Sequence, residues 1–538
     1  MKKRFISILL VVVMLFASVV ACSKEEEANS GDNTLVVGLP MSADVTDYDN
    51  NALTKYVEER LGIDLEFQLF SDTGSSYIQQ ISLTASAGEK LPDVFWGLQE
   101  MPIVTANELG EAGYFLDLTD LIEKHAPNYK EQFAKLTKQE QERVTKNGTT
   151  SSGKFFSMPL MSTGDKGYDE LGNKIHINKA WLDKLGLSMP TTLDEFCDVL
   201  KAFATRDPNG NGEADEIPML GLDSQGDNIL SYVINAYVYF NMGSPRNVTN
   251  GKVWAPFTTD EYRQAVIKLS EMREEGLLSD MTFTLASSAE YRQFYTPVNK
   301  VARVGVWNGL YLGYTDVSNP VFQEYVALPA LQDLTGKGGY TAMGEKFLLW
   351  CGYITKDCKN PELAMKFLDL FYEDETITRV RHGEKGVAWD VLEEPVTTED
   401  GMTYYNKSLL ADTTQANIGS NANWGRNGLG FINTKNFSLL PVENSPTEKM
   451  ETSIQEVLKN VREPEDRAEN LVYSDEVREE RDELNSAIKD YVNRSLCLFV
   501  SGKQDPTNDG QWNAYLQELN KMGLEKWLKM TQDAYDAK

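Results

Sequence analysis

The chain has 538 residues, 52 Lys and Arg against 81 Asp and Glu, and a formal net charge of −29. That length exceeds one ordinary core, so two or more domains are expected, and 41% hydrophobic residues supply the material to fill them. Such an acidic excess argues against a nucleic-acid partner and against broad electrostatic adhesion to anionic lipid.

Residues 1–21 are a basic start, an apolar run from Phe5 to Val20, and Ala21. The run reads as a signal peptide, too short and wrongly flanked for a stable spanning helix. Val19-Val20-Ala21-Cys22 has the form of a lipobox: small residues for a peptidase, then a thiol that takes a diacylglycerol. The polar stretch 23–33 is the tether. The mature protein is therefore expected to be exported from a bacterial cell and held by lipid on Cys22 at the outer face of its membrane. The plainer alternative is an ordinary signal peptide followed by a chance Cys.

Thr34–Pro40 predicts a strand, Tyr48–Leu61 a helix ended by Gly62, Ile63–Phe70 a strand, Tyr77–Ala87 a helix and Leu91–Trp96 a buried strand. Strands alternating with helices predict a mostly parallel α/β sheet, with ligands at the carboxyl ends of its strands, which places Trp96 at a cleft. Gly148–Lys154 follows a P-loop as far as its Lys, but Phe155 stands where a Mg2+-holding Ser or Thr is needed. A helix precedes it and a strand follows, so it reads as a turn.

Ile175 and Ile177 mark a short strand, Asn178 caps a helix that Gly186 stops, and Thr192 with Glu195 forms a capping box for the next. Leu193, Phe196, Val199, Leu200 and Phe203 give that helix one apolar face. The following loop, Asp207–Glu216, sets oxygen-bearing side chains at alternate positions, with Gly210 and Gly212 for tight turns. Asp207, Asn209, Asn211 and Gly212 fit an EF-hand frame, while Pro218 stands where its bidentate Glu belongs. A structural Ca2+ clip is expected, held by Asp207, Asn209, Asn211, the Glu213 carbonyl, Asp215 and Glu216. A polar Asn/Gly turn without metal is the alternative.

No CxxC occurs and there are three His, so no Cys/His metal site is expected. Cys197, Cys351, Cys358 and Cys497 read as packing thiols, a Cys351–Cys358 disulfide being the lesser alternative. Trp181, Trp350 and Trp527 read as core.

The stretch INKAWLDKLGLSMPTTLDEF with DPNGNGEADEIP (177–218) resembles the family 1 extracellular solute-binding lipoproteins of carbohydrate ABC transporters, nearest the alginate-oligosaccharide-binding branch. GEKLPDVFW (88–96), KVARVGVWNG (300–309), Tyr353–Tyr372, RHGEKGVAWD (381–390) and Trp512–Tyr535 carry the resemblance over nearly all of the mature chain, most weakly at 395–470.

The resemblance implies a two-lobed, type II periplasmic-binding-protein-like α/β fold with an interdomain cleft and hinge crossovers. Lobe 1 is expected at 34–158 plus about 346–385. Lobe 2 is expected at 159–345 plus about 386–500, with a helical tail at 501–538. It also implies a monomeric transport receptor that closes on an oligosaccharide and delivers it to a permease, with no catalytic residue and no nucleic acid.

Sugars need flat rings and polar groups. Trp96, Trp307, Trp389 with Asp390, and Trp424 with Arg426 are the cleft candidates, each Trp weighed against a place in the core. Arg292, Arg303, Arg379, Arg381 and Arg426 are the cations available to an acidic sugar. Two other readings are a lipid-anchored glycoside hydrolase using paired carboxylates and a surface sensor on the same fold. GxSxG, HExxH and a Cys/His pairing are absent.

Overall fold

Thr34–Pro40 (β1) buries both faces, and Asn51 then starts the helix Ala52–Leu61 by accepting a hydrogen bond from the Leu53 N–H. Gly62, at φ +65°, ends that helix in the left-handed conformation glycine adopts without strain. The chain returns as Asp64–Phe70 (β2), parallel to β1 along its whole length. The structure is a computed structural model. It describes residues 33–537 with short breaks, the longest at 163–174, 223–228, 309–318, 341–347 and 412–420. Cys22 lies outside the described residues.

The remaining strands are Val94–Trp96 (β3), Met158–Ser162 (β4), Ile175–Asn178 (β5), Ile217–Leu220 (β6), Asn247–Thr249 (β7), Lys252–Trp254 (β8), Val304–Asn308 (β9) and Tyr325–Ala327 (β10). They continue with Leu348–Ile354 (β11), Trp389–Thr397 (β12), Thr403–Ser408 (β13), Gly430–Ile432 (β14) and Leu439–Leu440 (β15). One sheet has the order β14-β4-β11-β3-β1-β2 and a second β10-β5-β9-β6. Each carries its own apolar core. Two α/β lobes result, as the resemblance implies. The second sheet is mostly antiparallel, with only β6 and β9 parallel, where the strand–helix alternation predicts a mostly parallel one.

The lobe boundaries differ from the expected ones. β4 lies in the first sheet, so residues 159–162 belong to lobe 1. β14 pairs with β4 from Gly430–Leu160 to Ile432–Ser162, and the helix Thr434–Phe437 packs on Asp374–His382, so 386–440 also belongs to lobe 1. Its apolar side chains explain this: Trp424, Leu429, Phe431 and Ile432 complete the first core. The chain crosses to lobe 2 before Pro446–Leu458, which packs on β10. The tail is no separate unit, because Trp512, Tyr515, Leu519, Leu524 and Trp527 fill the second core.

Helix Pro127–Lys135 has Ala126 at its cap, a residue with no side-chain oxygen. Asp369 supplies one from the neighbouring helix Pro361–Leu370, accepting the N–H groups of Asn128 at 3.1 Å and Tyr129 at 2.8 Å. Burial pushes this carboxyl up to about 6 despite the two donors. A native pKa above the ordinary 3.8 gives a stabilisation that is full below 3.8 and lost as pH rises through about 6. Denaturant unfolding should therefore show stability falling across this window, and Asp369→Asn should flatten the fall. An unchanged slope in the variant would contradict this assignment.

Candidate functional site

In open α/β sheets the ligand crevice lies outside the carboxyl ends of the strands. On lobe 1 the loop after β1 is clamped by the segment 421–424. Asn421 Oδ1 accepts the N–H groups of Thr46 and Asp47 at 3.0 and 3.1 Å, and its Nδ2 donates to the Asp47 carbonyl at 2.7 Å. Asn51 Nδ2 donates to the Ala422 carbonyl at 2.8 Å, and Trp424 Nε1 to Thr54 Oγ1 at 2.9 Å. On lobe 2 the carboxyl ends of β6 and β9 meet at one hydroxyl. Tyr291 Oη lies 3.0 Å from the carbonyls of Leu220 and Asn308 and accepts the Asn308 N–H at 3.0 Å. Sequence reasoning missed both devices. The run Asn421-Ala-Asn-Trp was the available signal for the first, since its amides bond backbone readily. Tyr291 carries no local signal.

The four cleft tryptophans are placed in the cores, which corrects their reading as sugar platforms. Trp96, Trp307, Trp389 and Trp424 are 1%, 0%, 1% and 5% exposed. Trp96 packs on Phe371 and Trp424, with ring centroids 4.0 and 5.6 Å apart. A Cβ on Gly428 would stand 1.9 Å from the Trp96 ring, so only glycine fits there. Trp307 is stacked between Tyr295 at 3.9 Å and His176 at 4.3 Å. Trp389 Nε1 donates to the Gly383 carbonyl at 2.9 Å. A strand end in sequence can still be an interior position once helices cover the sheet.

Trp96 and Trp424 thus meet in lobe 1, whereas Trp307 belongs to lobe 2 and Trp389 to a third small cluster. Asp390 is half-buried and its Oδ1 accepts the Val391 N–H at 2.8 Å. Of Arg426 only the backbone is described, in the turn Trp424–Asn427, and Arg292 likewise lacks a described side chain. Arg303 pairs with Asp215 at 2.9 Å, and Arg379 pairs with Glu375 at 3.0 Å while covering the Tyr56 ring. Trp181, Trp350 and Trp527 are core residues, and the four described cysteines are free thiols.

The loop Asp207–Glu216 is built of Asx turns. Asp207 Oδ1 and Oδ2 accept the N–H groups of Gly210 and Gly212 at 2.8 and 3.2 Å. Asn209 Oδ1 accepts Asn211 N–H at 2.9 Å, and Asn211 Oδ1 accepts Glu213 N–H at 2.7 Å. Asn209 and Asn211 both donate Nδ2 to Asp215 Oδ1 at 3.0 Å. Burial alone would raise the Asp215 carboxyl, but these amides and the Arg303 guanidinium hold it below its ordinary value. Glu216 is pushed up, first by burial and then by the Asp207 and Asp215 charges, and its Oε1 is buried without a hydrogen-bond partner among the described residues.

Excess negative charge with an orphaned buried oxygen fits a hard cation. Among the described residues no group of three His, Cys, Asp or Glu could hold a metal by itself. The set closes only with amide and carbonyl oxygens, and Arg303 competes for Asp215.

The Gly148–Lys154 turn is filled from within. Glu111 receives hydrogen bonds from Thr150 and Ser152 and pairs with Lys154 at 2.8 Å. Those bonds, led by Lys154, hold the Glu111 carboxyl down at about 2. An internal carboxylate takes the groups a phosphate would need.

The family model for bacterial extracellular solute-binding proteins matches residues 42–377, more than half of the chain. The chain belongs to this family. The fructooligosaccharide ABC transporter substrate-binding protein FusA of Streptococcus pneumoniae serotype 4 is 24% identical over 547 residues, covering 97% of each chain. Lipoprotein LipO of Bacillus subtilis is 25% identical over 432 residues, covering 76% of this chain and 77% of that one. Among solved structures, an EF-hand mutant of S. pneumoniae FusA in complex with fructo-nystose superposes with a TM-score of 0.75 at 21% identity, over 94% of this chain and 99% of that one.

Proposed function

We propose that this chain is the extracytoplasmic receptor of an ABC importer, capturing an oligosaccharide between its lobes and handing it to a membrane permease. The observation that carries the reading is a relative described as a fructooligosaccharide-binding importer subunit that aligns over 97% of both chains. Two lobes joined by crossover segments are what hinge closure around a ligand requires. Sugar contacts are assigned to the loop after β1 and the segment 421–424 that clamps it, with Asp390 and Arg426 as polar candidates. No residue has a catalytic role in this reading. Thermal melts with neutral and uronate oligosaccharides should give a shift for at least one class, the sugar being recovered uncleaved. Cleavage would favour the hydrolase reading.

The loop residues Asp207, Asn209, Asn211, Asp215 and Glu216, with the Glu213 carbonyl, would hold Ca2+. A bound cation would supply charge neutralisation, pinning the loop between the helix Leu193–Thr205 and β6. An EF-hand in FusA supports this assignment. The lipobox supports a lipid on Cys22, and no helix among the described residues is long and apolar enough to cross a membrane. Cys22→Ser should shift the protein from the membrane fraction to the soluble fraction; retention in membranes would overturn the anchor.

A further inference from the structure

The hairpin of β12 and β13 pairs unevenly. Val391 faces Asn406 and Val396 faces Tyr404, so Leu392–Pro395 stand opposite Tyr405 alone. A bulge bends its strand and releases it from the ladder. Here it accompanies a cavity of about 280 Å³ between the hairpin and the helix Asp374–His382, lined by Thr378, Trp389, Leu392, Pro395, Tyr405 and Lys435 among others. The charges in its wall are already satisfied. Asp374 pairs with Lys435 at 3.0 Å and accepts from Asn433 and Asn436, and Glu375 pairs with Arg379 and Lys385. The space therefore offers contact to an apolar group. It falls just under the roughly 300–1,000 Å³ of sites that enclose a small molecule, and suits one side chain of a longer ligand.

The outer surface agrees. β12 is an edge strand of its sheet. Val387, Val391, Val396 and Leu409 are 62%, 50%, 37% and 41% exposed, half of the large exposed hydrophobics of the described chain gathered on one hairpin and its flanks. Glu384, Glu393 and Glu394 are exposed among them. Glu393, Glu394, Pro395 and the bulge guard this apolar edge against indiscriminate strand pairing, so the strand it accepts is one of complementary charge. A second copy would bring Glu393 and Glu394 against acidic neighbours, and like charges placed opposite destabilise a strand pair. Anionic lipid meets the same repulsion. A basic strand meets attraction.

We infer that the β12 edge docks an extended, basic and apolar segment of a partner polypeptide, one apolar side chain of which enters the cavity beneath the bulge. The inference does not depend on which solute the protein carries. The test is fluorescence anisotropy of the full mature chain with three labelled peptides: alternating Lys and Val, the same composition in blocks, and alternating Glu and Val. The alternating Lys–Val peptide should bind selectively. Its affinity should fall with salt, and by about tenfold or more in Glu393→Lys/Glu394→Lys, with an unchanged melting curve. A second variant, Leu392→Asn, should weaken binding with the salt dependence unchanged, because it adds no charge and replaces the apolar wall of the cavity with an amide. Equal binding of the blocked or Glu–Val peptide, no binding, insensitivity to the charge reversal, or self-association of the chain through this edge would each overturn the inference.

Discussion

Trp307→Ala is expected to lower the stability of the ligand-free protein by about 3–5 kcal/mol, the usual cost of emptying a large aromatic site in a core. The ring is fully buried and held on both faces, parallel to Tyr295 within 2° and beside His176. Its loss removes a layer between β9 and the helix Ser288–Tyr295, which also carries the Tyr291 hydroxyl at the ends of β6 and β9. Denaturant unfolding without sugar measures this. A ligand platform behaves differently: truncation leaves the free protein intact and abolishes sugar binding. That second pattern would return Trp307 to the cleft.

Calcium at a hundredfold excess over its Kd should add about 2.7 kcal/mol to unfolding stability, and Asp207→Ala with Asn211→Ala should remove the increment. The loop holds Asp207, Asp215 and Glu216 close enough for two of them to raise the third. Because the Glu216 carboxyl is raised in the native state, its contribution is full below its unfolded pKa and is lost as pH rises through the native one. Calcium works in the opposite sense, since its ligands must be deprotonated, so the increment should grow with pH over the same window. Identical melting curves in calcium and in chelator would exclude the clip.

Local chemistry made part of this molecule legible. Gly62 and Gly186 end their helices at positive φ, Asn178 caps as expected, and the Thr192–Glu195 capping box is formed in both directions. These are contacts between residues a few positions apart, which is the range that sequence patterns report. What failed was long-range. β14 has three residues and pairs with a strand some 270 positions earlier, so nothing near Gly430 announces its lobe. Asp369 caps a helix 240 residues away. The cleft tryptophans misled for the same reason. An aromatic at a strand end satisfies a sugar-site pattern and a core pattern equally, and only the packing of Phe371, Gly428 and Trp424 around Trp96 separates them. The metal loop is intermediate. Its Asx turns follow from spacing, whereas the Arg303 guanidinium on Asp215 comes from the segment just before β9, some 90 positions on.

The importer reading is tested most directly by isothermal titration of the mature protein with purified oligosaccharides, followed by chromatography of the sugar recovered. The account predicts saturable one-to-one binding of at least one oligosaccharide class, with the sugar returned at its original length. Shortened products, or no heat from any oligosaccharide offered to a folded protein, would contradict it.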